Sequence, residues 1–154
     1  MPYTNLSGGR SLADALRALI ERRAAETGLR IHLEVATLPA GCLSAQSAAV
    51  LLRFVREALA NTCKHAQASE VMVRLECLDG AAVRLSVRDN GRGGAVMGLW
   101  GDGRAGFGLL SLREQLEALG GCLGLDSVPD HSTTVWAALP VAEVRDANSR
   151  HDRG

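Results

Sequence analysis

Apolar residues along the chain recur with two periods, and the changes of period divide it into elements. Leu12, Leu16, Leu19 and Ile20 fall at helical spacing behind Ser11 and Asp14, a pair that resembles a capping box, and Gly28 stops the run. Ile31, Leu33 and Val35 alternate with His32 and Glu34, which predicts a half-buried strand over 30–36. A turn at Pro39-Ala40-Gly41 precedes a long helical pattern over 47–65. Val71, Val73, Leu75 and Cys77, then Val83, Leu85 and Val87, predict two strands joined by a hairpin turn at Asp79-Gly80. The stretch 91–106 has no period and reads as a loop. Helical spacing returns with Leu109, Leu112, Leu116 and Leu119 and closes at Gly120-Gly121, and 122–127 and 134–139 form a last pair of strands before Pro140. This order predicts an α/β fold, a two-layer sandwich of a mixed β-sheet with helices packed on one face. Residues 1–10 read as a leading segment, 11–140 as one domain, and the charged, apolar-poor 141–154 as a disordered tail.

Composition narrows the function classes. The chain has 154 residues, enough for one domain with a real core, and 17 basic residues balance 17 acidic ones. Zero net charge argues against bulk electrostatic binding to nucleic acid or to an anionic membrane. No apolar run approaches a membrane span, and the start lacks the pattern of a secretory signal. The four cysteines, Cys42, Cys63, Cys77 and Cys122, stand far apart and read as ordinary buried thiols of a reducing cytoplasm. Sixteen of the 17 basic residues are arginines, with Lys64 the only lysine, and eight of the 17 glycines fall within 91–108.

Three places could carry chemistry. On the helix over 47–65, Leu51, Leu52, Val55, Leu59, Thr62 and Ala66 share one arc of about 100°, the expected core stripe. Glu57, Asn61, Lys64 and His65 share another, nearly opposite, which is either a solvated polar face or a row of ligand-facing groups. Asp89-Asn90-Gly91-Arg92-Gly93 follows a strand: it is either a β-turn or a carboxylate beside backbone that a planar ligand can approach. Gly106-Phe107-Gly108-Leu109 opens a helix, where free amides and the dipole favour phosphate.

Taken together and in this order, the three places resemble the GHKL ATPase superfamily. Glu57-Ala-Leu-Ala-Asn61-Thr-Cys-Lys64-His65-Ala66 is similar to its N box, Asp89-Asn-Gly91-Arg-Gly93 to its D-x-G-x-G box, and Gly106-Phe-Gly108-Leu109 to its G-x-G-L box. With Arg113-Glu114 and Gly120-Gly121, the boxes look like the catalytic domain of NarL/DesK-type sensor histidine kinases, over about 12–140. The resemblance implies the Bergerat fold and binding of ATP with Mg²⁺. It implies that Asp89 accepts the adenine amino group, with Gly91 and Gly93 beneath the base, and that Asn61 ligates the metal. Lys64 would face the phosphates, His65 would belong to the nucleotide shell, and Gly106, Gly108 and Leu109 would hold phosphate. Glu57 would orient a metal-bound water or act as a base, and 94–105, with Gly98, Gly101 and Gly103, would form a lid over ATP.

Two departures stand out. Where the family has a G-x-G-T-like turn, this chain has Asp130-His131-Ser132-Thr133, so only Thr133 fits. None of the four histidines, His32, His65, His131 and His151, sits in an amphipathic helix as a phosphoacceptor followed by an acidic residue. The expected partners are therefore a histidine-bearing dimerisation domain outside this chain and, indirectly, a response regulator, in the cytoplasm. Any membrane anchor would belong to a longer parent. A stand-alone serine kinase of the anti-sigma-factor type, and a degenerate nucleotide-binding module without kinase activity, are the competing expectations.

Overall fold

The computed structural model describes residues 9–39, 41–63, 68–91, 107–128 and 132–141. Eight elements follow in order: α1 (Gly9–Thr27), β1 (Arg30–Val35), α2 (Ala45–Asn61), β2 (Glu70–Leu78), β3 (Ala82–Asp89), α3 (Phe107–Ala118), β4 (Cys122–Val128) and β5 (Ser132–Pro140). The strands form one sheet in the order β1-β2-β3-β5-β4. β1 runs parallel to β2, and the other three pairings are antiparallel. The sheet is thus mixed, as the element order predicted. Among the described residues no helix is long and apolar enough to cross a membrane.

Local chemistry accounts for most boundaries. Asp79 and Gly80 both take positive φ, 52° and 68°, the combination that a tight hairpin matching the strand twist requires. At the end of α3, Gly120 sits at φ 85° and its N–H bonds Glu117 O at 3.0 Å, while Gly121 N–H bonds Leu116 O at 2.8 Å. This is a Schellman ending that only glycine enters without strain. Ser44 caps α2 through its hydroxyl, which accepts from Ser47 N–H at 3.0 Å, so the helix starts two residues ahead of the expected 47. It closes at Asn61, where Thr62 N–H bonds both Ala58 O and Leu59 O. Helix α1 begins at Gly9, ahead of Ser11, and Asp14 pairs with Arg17 at 3.4 Å instead of capping.

The three helices cover one face of the sheet. α1 packs on β1, α2 on β3 and β5, and α3 on β4 and β5, with α2 in contact with both other helices. Flanked on both sides, α2 buries an arc of about 160° at 100° per residue, wider than the 100° stripe its sequence suggested. The wider arc takes in Phe54 and Ala58 as well as Leu51, Val55 and Leu59, and Phe54 is fully buried. Leu52, expected in the stripe, lies at its half-buried edge. Leu12, Leu16, Leu112 and Leu116 close the core from the neighbouring helices, and Val73, Leu75, Val83, Leu85, Ala137 and Leu139 close it from the sheet.

All four cysteines are free, but only Cys42 is buried, which corrects the expectation of buried thiols. Cys63 and Cys122 are exposed: they lie just past the end of α2 and on an edge strand, where none of the described residues packs over them.

Candidate functional site

Period-two alternation on β3 points Val83, Leu85 and Val87 at the helices, and the next position in phase is Asp89. A carboxylate therefore occupies a core-facing position at the end of a central strand, 5% exposed. Its neighbours in the sheet are Val71 on β2 and Thr133 on β5, and Thr133 is equally buried. Burial pushes the Asp89 carboxyl above the usual carboxylate range, and the bond that Oδ1 accepts from Gly91 N–H, at 2.8 Å, partly offsets this. The bend that brings the Gly91 amide back onto its own strand end is an Asx-type turn, the first of the two readings of Asp89-Asn90-Gly91.

Connection lengths bring the other groups to the same end of the sheet. Residues 62–69 carry α2 into β2, whose Val71 lies beside Asp89, so the C-terminal end of α2 sits above this sheet end. The short connection at 119–121 likewise returns α3 antiparallel to β4, whose Ser127 pairs with Thr133, and leaves the α3 N-terminus at this end. Asn61 ends α2 with its side chain 7% exposed, and its Nδ2 has no hydrogen-bond partner among the described residues. A buried amide left in this state costs about 1–3 kcal/mol, and a water or a polar ligand would supply the missing partner. This revises the expected opposition of Asn61 to the core: the residue lies on the edge of the buried arc. Glu57, one turn earlier, is half-buried. Since α3 starts at Phe107, the amides of Gly108 and Leu109 fall in its first turn and have no intrahelical acceptor.

The structure therefore brings Glu57, Asn61, Asp89, Gly91, Gly108, Leu109 and Thr133 to one end of the helix-covered face. Lys64, His65, Gly93, Gly106 and the expected lid over 94–105 lie outside the described residues. A polar residue the motif reading passed over also belongs here. Asn90 accepts from Ser69 N–H and Glu70 N–H, both at 3.0 Å, and donates to the Ser69 hydroxyl at 3.1 Å. Its only signal in the sequence is an asparagine between an acid and a glycine at a strand end.

Across the sheet, the helix-free face carries a groove of about 860 Å³ lined by Met72, Arg74, Arg84, Arg88 and Trp136 among others, which reaches Asp89 and Asn90 at one end. Two of its arginines are paired within the face, Arg74 with Glu34 at 2.9 Å and Arg84 with Glu76 at 3.1 Å, and Arg84 lies 5.9 Å over the Trp136 ring. The first pair is exposed and the second partly buried, charges of both signs that satisfy one another on a sheet surface. The end with Asp89 and Asn61 carries the buried polar groups.

Comparison with known proteins gives the family and the fold. The chain is 33% identical over 132 residues to the nitrate/nitrite sensor protein NarQ of Escherichia coli, covering 86% of this chain and 23% of that protein. It is 33% identical over 139 residues to the sensor histidine kinase MctS of Rhizobium johnstonii, covering 89% of this chain and 29% of the relative. It thus spans about a quarter of the length of the curated relatives it matches. Among solved structures, full-length ShkA in complex with AMPPNP superposes with a TM-score of 0.69 at 26% identity, over 84% of this chain and 30% of that one. The histidine kinase domain of a blue-light activated kinase from Erythrobacter litoralis superposes with a TM-score of 0.68 at 21% identity, over 86% and 64%, which speaks for the fold. The model of the histidine kinase-, DNA gyrase B- and HSP90-like ATPases matches residues 47–143, more than half of the chain, and the chain belongs to that family.

Proposed function

We propose that the chain is the ATP-binding catalytic portion of a two-component sensor histidine kinase, extending over 11–140 and working in the cytoplasm. It binds Mg-ATP and donates the γ-phosphoryl to a histidine on a separate dimerisation domain, from which a response regulator is served. The observation that carries the reading is Asp89: a buried carboxylate where a core side chain is due, with glycine beyond it, on the face that α2 and α3 cover. A carboxylate held there with one lone-pair site filled by Gly91 N–H keeps acceptor capacity for the amino group of a purine. Thr133, beside it in the sheet, adds a hydroxyl.

The residues present also fit a magnesium ion. A hard cation takes oxygen ligands, and where phosphates are bound the protein contributes only one or two. The Asn61 amide fits, because rotation by 180° exchanges its oxygen with the nitrogen now lacking a partner. The ion would neutralise charge on the phosphates. Lys64 adds a point charge there, His65 and Gly93 complete the shell, and the first-turn amides of α3 with Gly106 and Gly108 receive phosphate oxygens. Most of the catalysis is then positioning and charge neutralisation. The neutral imidazole nitrogen of the acceptor attacks the γ-phosphorus, a P–N bond forms, and the bond to the bridging oxygen breaks with departure of ADP. The acceptor ring then loses the proton of its other nitrogen to a carboxylate. Glu57, on the same side of α2 as Asn61, is the group proposed for this chain.

The test is incubation with γ-labelled ATP and a histidine-bearing dimerisation domain from a related kinase. Label that is acid-labile and base-stable on that domain is the expected result. Label on a serine of an anti-anti-sigma-type substrate, with none on histidine, would favour the serine-kinase reading.

A further inference from the structure

In an antiparallel pair, two residues that face each other across a narrow site exchange both N–H···O bonds through the main chain. Glu70 and Asn90, the pair just beyond Val71 and Asp89, exchange them differently. Asn90 N–H bonds the main-chain oxygen of Glu70 at 3.1 Å, but Glu70 N–H bonds the side-chain Oδ1 of Asn90 at 3.0 Å. That oxygen also accepts from Ser69 N–H, and Nδ2 donates to the Ser69 hydroxyl. The Asn90 side chain takes the place of its own main-chain carbonyl, as asparagine does in turns. The main chain is thereby released from the ladder one residue past Asp89, and it bends so that Gly91 N–H reaches Asp89 Oδ1 at 2.8 Å.

The same three bonds reach across the sheet end. Ser69 and Glu70 close the segment that leads from the end of α2 into β2. Asn90 therefore ties the bend that orients Asp89 to the two residues that open β2. We propose that Asn90 is a positioning residue for the nucleotide site, holding the Asp89–Gly91 bend and the Ser69–Glu70 start of β2 in fixed relation; this rests on the nucleotide reading of Asp89 and Asn61.

Asn90 and Ser69 are exposed, so water replaces the bonds when the side chain is removed and the fold loses little. The loss falls on geometry, and binding and stability should therefore separate. The full 154-residue chain is titrated with Mg-ADP by calorimetry, and thermal unfolding is followed in parallel. Asn90→Ala is expected to weaken binding about tenfold, equivalent to one to three net hydrogen bonds, with Tm within a few degrees of the parent. Asn90→Asp keeps an oxygen for the Ser69 and Glu70 amides and an acceptor for the Ser69 hydroxyl, and it is expected to restore affinity to within about threefold of the parent. Asp89→Asn is the control for the site itself. If it loses binding while Asn90→Ala binds like the parent, the role of Asn90 is wrong and the site stands. Equal weakness of Asn90→Ala and Asn90→Asp would also overturn it, because the bonds alone would not then account for the loss. If Asp89→Asn binds like the parent, the nucleotide reading fails and the inference with it. Should Asn90→Ala not fold, Asn90→Ser replaces it, with the same expected weakening.

Discussion

Asp89→Asn separates a functional carboxylate from a structural one, because its two consequences have opposite signs. Asparagine has the same shape, and its Oδ1 can keep the bond from Gly91 N–H that the aspartate accepts at 2.8 Å. The second oxygen, however, becomes an amide nitrogen, and it would meet the amino group of the base donor to donor. Loss of a hydrogen bond to a charged acceptor costs about 1.5–3 kcal/mol, and a buried donor left unsatisfied about 1–3 kcal/mol more. At about 1.4 kcal/mol per factor of ten, affinity for Mg-ADP should fall on the order of 10²- to 10⁴-fold. Stability should move the other way. With Asp89 5% exposed and its carboxyl raised by burial, the folded state at neutral pH carries a charge it would hold more cheaply in water, and the neutral amide removes that cost. Calorimetric titration with differential scanning calorimetry on the same samples reads both effects, and the variant should unfold at the parent's Tm or above it. Affinity within threefold of the parent would refute the assignment. So would a loss of affinity accompanied by a Tm drop of several degrees, since Asp89 would then be holding the fold.

Three further outcomes rest on the same structure. Nucleotide affinity should fall as the pH is lowered through the raised range of Asp89, above its ordinary value of 3.8, because the base donates to the ionised carboxylate, while Asp89→Asn stays flat over that range in a titration series. The sign for stability is the reverse: between the unfolded and folded pKa values the folded chain binds more protons, so acidification stabilises the parent relative to Asp89→Asn, as urea melts at several pH values would show. Phe54→Ala removes a fully buried ring from α2 and should cost about 3–5 kcal/mol, lowering Tm on the order of 10–20 °C.

The elements were legible where a local rule decides them. Asp79-Gly80 and Gly120 take positive φ where glycine-bearing turns are written, and alternation on β2 and β3 fixes which face is buried. Facts set by what packs from outside were not legible. Nothing in α2 announces that helices lie on both its flanks, so Phe54 fell outside the expected stripe and Asn61 was placed opposite the core. The sheet order was equally hidden, since β5 lies between β3 and β4 through pairings that no spacing encodes.

The candidate site divides along the same line. Asp89 is visible because the stripe of Val83, Leu85 and Val87 continues in phase into a carboxylate. A chain that puts a charge where its own period calls for an aliphatic side chain gives up stability at that position, and a ligand that meets the charge accounts for the exchange. Asn90 breaks no period and sits next to the motif residue, yet its bonds run to partners 20 and 21 positions away. Its bonds exist only once β2 and β3 are paired, which is why the sequence shows the carboxylate proposed to accept the base and hides the group proposed to aim it.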